Sequence, residues 1–156
     1  MHIETERKFL VEGDAYKKEA VRAIPMVQGY LARGGGNTVR VRIGGEQAWL
    51  TIKGPSPDGV SRPEWEREIP VEDAKELLPL CLGSLIDKTR FLVPAGEGRF
   101  FEVDEFHGDN AGLVVAEIEL SSEDEDYPRP RWLGKEVTGE RKYRNAQLSV
   151  HPFKEW

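Results

Sequence analysis

Charged and apolar side chains alternate along most of this sequence, and this alternation constrains the fold more than any other feature. Residues 2–11 place Glu4, Glu6 and Lys8 on one face of an extended chain and Phe9 and Val11 on the other. A period of two residues predicts a β-strand, because successive side chains of a strand point to opposite faces. The pattern recurs, and we predict about eight strands. They are centred on residues 2–11, 28–33, 38–44, 48–53, 64–69, 88–91, 101–104 and 116–120.

Short glycine-rich turns separate the predicted strands, so most connections should be hairpins and the sheet should be antiparallel. Few helices are expected. We predict one over residues 15–24 with Asp14 as its N-cap, one over 74–82 ended by Gly83, and two more within 121–127 and 138–148. No repeat or linker divides the sequence, so residues 1–156 are expected to form a single domain.

The charged face carries pairs of like charge two residues apart. A sheet with this face in water is the simplest explanation of alternation alone, but neighbours of like charge on one face repel each other. Acidic pairs suit a hard divalent cation, and basic pairs suit a phosphate chain. We therefore predict a closed barrel with these faces inward. The pairs are Glu4/Glu6, Arg40/Arg42, Glu64/Glu66, Lys88/Arg90, Glu102/Asp104 and Glu117/Glu119.

The side chains on this face favour a metal-dependent reaction on a triphosphate. Candidate metal ligands are all carboxylates, which favours Mg²⁺ or Mn²⁺ over zinc; they are Glu4, Glu6, Asp104, Glu117 and Glu119. Candidate phosphate-binding cations are Lys8, Arg40, Arg42, Lys53, Lys88 and Arg90. A linear triphosphate carries about four to five negative charges near neutral pH, which suits a set of this size. The hypothesis is a triphosphate hydrolase.

Overall composition excludes several other classes. There are 22 Lys plus Arg against 28 Asp plus Glu, a net charge of −6, which argues against duplex nucleic acid as a partner. The only cysteine is Cys81, so a disulfide within the chain and a multi-cysteine zinc site are excluded. The sequence contains no apolar run of membrane-spanning length and no secretory signal, so we expect a cytoplasmic protein.

These motifs resemble those of the CYTH superfamily, the triphosphate tunnel metalloenzymes. The opening IETERKFLV contains the Glu-x-Glu-x-Lys motif of that superfamily. QGYL, RVR, LTIKG, SRPEWEREI, KTRF, FEVDEF, AEIEL and WLGKEVTGERKYRN follow in the corresponding order. The resemblance spans essentially the whole chain and is to the short bacterial members. It implies an α+β fold, an eight-stranded antiparallel tunnel with a charged lumen and flanking helices.

The resemblance also implies roles for individual residues. Glu4, Glu6, Glu117 and Glu119, assisted by Asp104, would bind metal, and the six cations would bind the triphosphate. Glu64, Glu66 and Glu102 would position a second metal or orient the basic residues. Tyr30 would act with Lys8 and Glu6 in catalysis; its alternative role is that of a lumen-facing aromatic hydrogen-bonded to a charge. Residues 138–148 would close one mouth of the tunnel, with Lys142 or Arg144 able to reach a phosphate.

Membership of this superfamily leaves the reaction open, because its tunnel serves several activities. We predict hydrolysis of inorganic tripolyphosphate, since the chain is short and has no evident insertion for a base or thiazolium pocket. The alternatives are a class IV adenylate cyclase, a thiamine or nucleoside triphosphatase, and a non-catalytic sensor of polyphosphate or nucleotides. The predicted partner is a small-molecule triphosphate rather than a membrane, and a homodimer is left open.

Overall fold

The strands predicted from the alternation close into a barrel. A computed structural model describes residues 2–156, which form nine strands. Their bounds are β1 His2–Val11, β2 Arg22–Gly34, β3 Asn37–Gly44, β4 Gln47–Lys53, β5 Ser61–Ile69, β6 Leu82–Pro94, β7 Phe100–Phe106, β8 Val114–Glu119 and β9 Leu133–Glu136. The order is β5-β4-β3-β2-β6-β7-β8-β1, and pairing of β1 with β5 closes the ring. The predicted eight-stranded antiparallel barrel is confirmed, with β9 as an addition.

Strand β1 has three partners. His2–Thr5 pair with β5, whereas Glu6–Leu10 pair with β8. On the edge that β5 leaves free, Phe9 and Val11 pair with β9. The segment with the Glu-x-Glu-x-Lys motif is therefore held by parts of the chain that are distant in sequence.

The predicted helix over residues 15–24 was wrong for most of its length. α1 covers only Tyr16–Glu19, and the side chain of Asp14 caps nothing. From Arg22 onward the chain is already strand β2, which pairs with the far end of β6. Ile24 precedes Pro25, and a residue before proline disfavours helical backbone.

The other helices are also shorter than predicted. α2 spans Val71–Leu77 and ends where Pro79, which lacks an N–H, allows only a 3₁₀ turn, so Gly83 lies inside β6. Residues 121–127 form no helix. Residues 138–148 contain a 3₁₀ turn at Arg141–Tyr143 and the short helix α3, Asn145–Leu148.

Apolar side chains pack on the outside of the barrel and at one of its ends. Phe9, Phe101 and Ile118 face outward and are covered by Tyr16 of α1 and by Trp132. At one end, a second cluster fills the lumen side. Its barrel residues are Ile86, Phe106 and Val115, and Val137, Tyr143 and Leu148 from the C-terminal segment pack against them. The barrel interior is thus blocked at that end by apolar contacts.

Candidate active site

The cross-strand register places the predicted charged residues on the inner face. Residues directly opposite each other in an antiparallel pair point to the same side. Lys8 lies opposite Glu117, which in turn lies opposite Glu102. On the other side of the ring, Arg40 lies opposite Thr51 and Thr51 opposite Glu66. The lumen face of each strand is therefore the one that alternation indicated.

One cavity of about 400 Å³ occupies this interior. Its basic lining, counted over the described residues, consists of Lys8, Arg33, Arg40, Lys53, Arg62, Lys88, Arg90, Arg141 and Arg144. The acidic residues in the same lining are Glu6, Glu117 and Glu140. Tyr30 also lines it. An excess of cations around one enclosed space is a binding site for a compact, highly charged anion.

Five of the six predicted phosphate-binding cations line this cavity, and Arg42 does not. Arg42 lies over the ring of Trp49, 5.3 Å from the ring centroid. Burial, together with the nearby Arg40 and Arg90, lowers the pKa of Arg42 to about 10. Within residues 2–156 no carboxylate lies within 4.0 Å of its guanidinium, so this partly buried charge is without an ionic partner.

Most lumen carboxylates are engaged by lysine or arginine. Lys53 Nζ lies 2.8 Å from Glu4 Oε1 and 3.6 Å from Glu64 Oε2. Glu66 accepts a hydrogen bond of 2.7 Å from Thr51 and lies 3.6 Å from Arg40. These pairs fix the directions of the basic side chains.

Asp104 forms the most buried of these ion pairs. Its Oδ2 accepts hydrogen bonds from Lys88 Nζ at 2.7 Å and from Arg90 Nη2 at 3.0 Å, while Oδ1 accepts from Arg90 Nε at 2.8 Å. Burial opposes its ionisation, but Arg90 and Lys88 together lower its pKa. Arg90 also donates to Glu102 at 3.0 Å. Both oxygens of Asp104 are thus used to orient cations.

Glu6 and Glu117 are neighbouring carboxylates in the cavity wall. Burial raises the pKa of Glu6 well above its usual value, and the negative charges of Glu117 and Glu4 raise it further. Burial acts the same way on Glu117, but Lys8, Arg90 and Lys88 outweigh it and lower the pKa of that group. The structure places Lys8 Nζ 3.3 Å from Glu117 Oε1. Glu6 has no cationic nitrogen within 4.0 Å among the described residues.

The five predicted metal ligands do not converge on one point. Nowhere in residues 2–156 do three or more Asp, Glu, His or Cys side chains lie close enough to hold a metal ion. Glu119 is half exposed and lies 3.1 Å from His2. Mg²⁺, however, is typically held by one or two carboxylates together with substrate phosphates. Glu6, without a cationic partner, and the adjacent Glu117 fit that donor set.

The C-terminal segment contributes to the wall of the cavity. Lys8 Nζ donates to the carbonyl of Tyr143 at 3.4 Å, and Lys88 Nζ donates to Asn145 Oδ1 at 3.2 Å. Arg144 lines the cavity, whereas Lys142 lies against the ring of Trp156 at 4.5 Å. The alternation of charged and apolar residues could not indicate that Asn145 lines the cavity, because this segment is not a strand.

Two lumen residues were missed or misassigned by the sequence reasoning. Arg33 faces inward because the register shifts between Tyr30 and Ala32, which exchanges the faces of the residues that follow. Trp49 is an apolar residue that lies opposite Arg42 and therefore also shares the inner face. The sequence around Arg33 contains no local signal for such a bulge. The position of Trp49 could have been predicted, because it is two residues before Thr51 and therefore on the same face of β4.

Lys88 should make substrate capture sensitive to alkaline pH. Burial, only partly offset by Asp104, lowers its pKa to about 8. Its positive charge is therefore lost as the pH rises through about 8, and kcat/KM for an anionic substrate should fall there. Replacement Lys88→Arg should remove that decline, since arginine stays charged. A pH–rate profile of both proteins measures this, and an unchanged decline in the variant would contradict the assignment.

Comparison with known proteins places this architecture in one family. A family model described as the CYTH domain matches residues 2–150. An inorganic triphosphatase of Acetivibrio thermocellus is 46% identical over 152 residues, 97% of this chain and 96% of the relative. An inorganic triphosphatase of Nitrosomonas europaea is 35% identical over 150 residues, 94% and 97% of the two chains. A crystal structure of an inorganic triphosphatase superposes with a TM-score of 0.64 at 32% identity, covering 96% of each chain.

No helix within residues 2–156 is both long enough and apolar enough to cross a membrane.

Proposed function

We propose that this chain, which belongs to the CYTH domain family, is a metal-dependent enzyme that hydrolyses inorganic tripolyphosphate to pyrophosphate and phosphate. The names of its relatives support this activity. The observation that carries it is the lumen cavity lined by nine basic side chains and by Glu6 and Glu117. A triphosphate carries about four to five negative charges, which matches the high positive charge of this cavity lining.

The proposed substrate contacts come from Lys8, Arg40, Lys53, Lys88 and Arg90. They line the cavity and are each oriented by a carboxylate. Arg42, just beyond the lining, would add positive potential at the inner end, where its charge has no ionic partner. Asp104, Glu64, Glu66 and Glu102 then act as orienting residues, which is one of the two roles the sequence left open.

Glu6 and Glu117 are the residues that would hold Mg²⁺ or Mn²⁺; Glu119 lies directly opposite Glu6, and Glu4 lies two residues before Glu6 on β1. When bound, the ion supplies charge neutralisation at the phosphoryl oxygens and lowers the pKa of a coordinated water. Lys8 is proposed to orient the attacking water and Tyr30 to act with it at the reacting phosphoryl group, and the apolar cluster that blocks one end of the lumen excludes bulk water from that end. We also propose that residues 1–156 act as one domain in the cytoplasm.

A substrate panel tests this function. Purified protein with Mg²⁺ or Mn²⁺ should release phosphate from tripolyphosphate at least about tenfold faster, in kcat/KM, than from ATP or thiamine triphosphate. The products should be pyrophosphate and phosphate in equal amounts. Formation of cyclic AMP from ATP would instead indicate a cyclase, and tight binding without turnover across several metals would indicate a sensor.

A further inference from the structure

Gln28 is a buried amide in the lumen whose carbonyl oxygen makes no hydrogen bond to the described residues. It is 0% exposed and lies opposite Arg42 on β3 and Ile86 on β6. Its Nε2 donates to the hydroxyl of Tyr30 at 3.3 Å. Its Oε1 has no hydrogen-bond partner among the described residues. Such an unsatisfied atom destabilises a fold and is rare in native interiors, so its retention calls for a reason.

The bond from Gln28 determines what the Tyr30 hydroxyl can do. A phenolic oxygen has one proton to donate and lone pairs that accept. Because Tyr30 accepts from Gln28, its own proton must be directed elsewhere. Tyr30 lies opposite Arg40 and lines the cavity, and no described residue accepts a hydrogen bond from its hydroxyl. The proton is therefore available to an anion in the cavity.

The charge of Arg42 supports this orientation of the amide. A guanidinium has only donors, and the Nε of the partly buried Arg42 has no hydrogen-bond partner among the described residues. Gln28 lies directly opposite Arg42, and the amide oxygen is the only acceptor that Gln28 can present to a guanidinium, which leaves the amide N–H for Tyr30.

We propose that Gln28 is a positioning residue that holds the Tyr30 hydroxyl as a hydrogen-bond donor toward a phosphoryl oxygen of the substrate. This inference rests on the proposed triphosphatase function. It assigns Tyr30 the role of a donor to the anion, in which it stabilises charge on the phosphoryl group. Gln28 itself does not touch the substrate.

A double-mutant cycle tests the proposal. Gln28→Met removes the amide at similar length, and Tyr30→Phe removes the hydroxyl. Each should lower kcat/KM for tripolyphosphate by about tenfold, the effect of one hydrogen bond to a charged group. The double variant should be no worse than Tyr30→Phe alone. The melting temperature of Gln28→Met should be unchanged or higher, because the unsatisfied oxygen is removed.

Gln47→Met, at a surface glutamine on β4, is the matched control and should have full activity. Multiplicative losses in the double variant, or full activity of Gln28→Met, would overturn the proposal. If the wild-type protein does not hydrolyse tripolyphosphate, the proposed function fails instead. The cycle is then measured by calorimetric binding of tripolyphosphate in the presence of a chelator, where the same coupling is expected in Kd, and independent effects in Kd would overturn the proposal.

Discussion

Glu6→Gln is expected to lower metal-dependent hydrolysis of tripolyphosphate by at least about 100-fold while leaving the fold intact. The amide keeps the shape of the protonated carboxyl but cannot supply a negative charge to a cation. No lysine or arginine nitrogen lies within 4.0 Å of Glu6 among residues 2–156, so its loss leaves no lysine or arginine without its ion-pair partner. The loss should therefore appear in metal binding and turnover and not in folding.

Stability measurements distinguish this outcome from misfolding. The raised pKa of Glu6 means that the folded chain holds a proton that the unfolded chain releases, so the free energy of unfolding falls as the pH rises above the usual glutamate value. Glu6→Gln should weaken that decline and raise the melting temperature at neutral pH in the presence of a chelator. Titration with Mn²⁺, followed by electron paramagnetic resonance, should show weakened binding. Glu12→Gln, just after β1, is the control. Wild-type turnover in Glu6→Gln would contradict the metal assignment.

Asp104→Asn is expected to lower the free energy of unfolding by about 3–5 kcal/mol. Asp104 is 2% exposed and accepts three hydrogen bonds from Lys88 and Arg90. Removing its charge leaves two buried cations that repel each other. Removing one partner of a buried ion pair lowers the free energy of unfolding by far more than the intact pair contributes to it. The reason is that the remaining charges stay desolvated without a counter-charge.

Urea unfolding of the wild type and the variant measures this effect. Glu105→Gln is the matched control, since Glu105 is the next residue on β7 but faces outward, where it bonds to Tyr16 and Lys17. The control should lose no more than about 1 kcal/mol. Added tripolyphosphate should stabilise Asp104→Asn more than the wild type, because the anion compensates the two cations. A loss below about 1 kcal/mol in Asp104→Asn would show that Asp104 does not hold the two cations in place.

Alternation predicted the barrel because a charged lumen and an apolar exterior give every strand the same simple period. The strands of the site were therefore identifiable from pairs such as Arg40 and Arg42. The errors arose where local pattern and tertiary context differ. The composition of residues 21–24 is compatible with a helix, but Pro25 and the pairing of residues 22–24 with β6 make this segment a strand. Arg33 is turned inward by a register shift, and Asn145 reaches the site from a segment without strand periodicity.

The three partners of β1 also determine when the site can form during synthesis. The first strand made contains Glu6 and Lys8, yet its partners are residues 61–64, 115–119 and 133–136. Nearly the whole chain must leave the ribosome before this strand can be paired on both edges. Contacts so distant in sequence slow folding, because a long loop must close before they form. The lumen carboxylates and the lysines that pair with them, such as Glu117 with Lys8 and Glu4 with Lys53, should therefore be desolvated together, in the last step of barrel closure, so that no partly made chain has to bury these charges uncompensated.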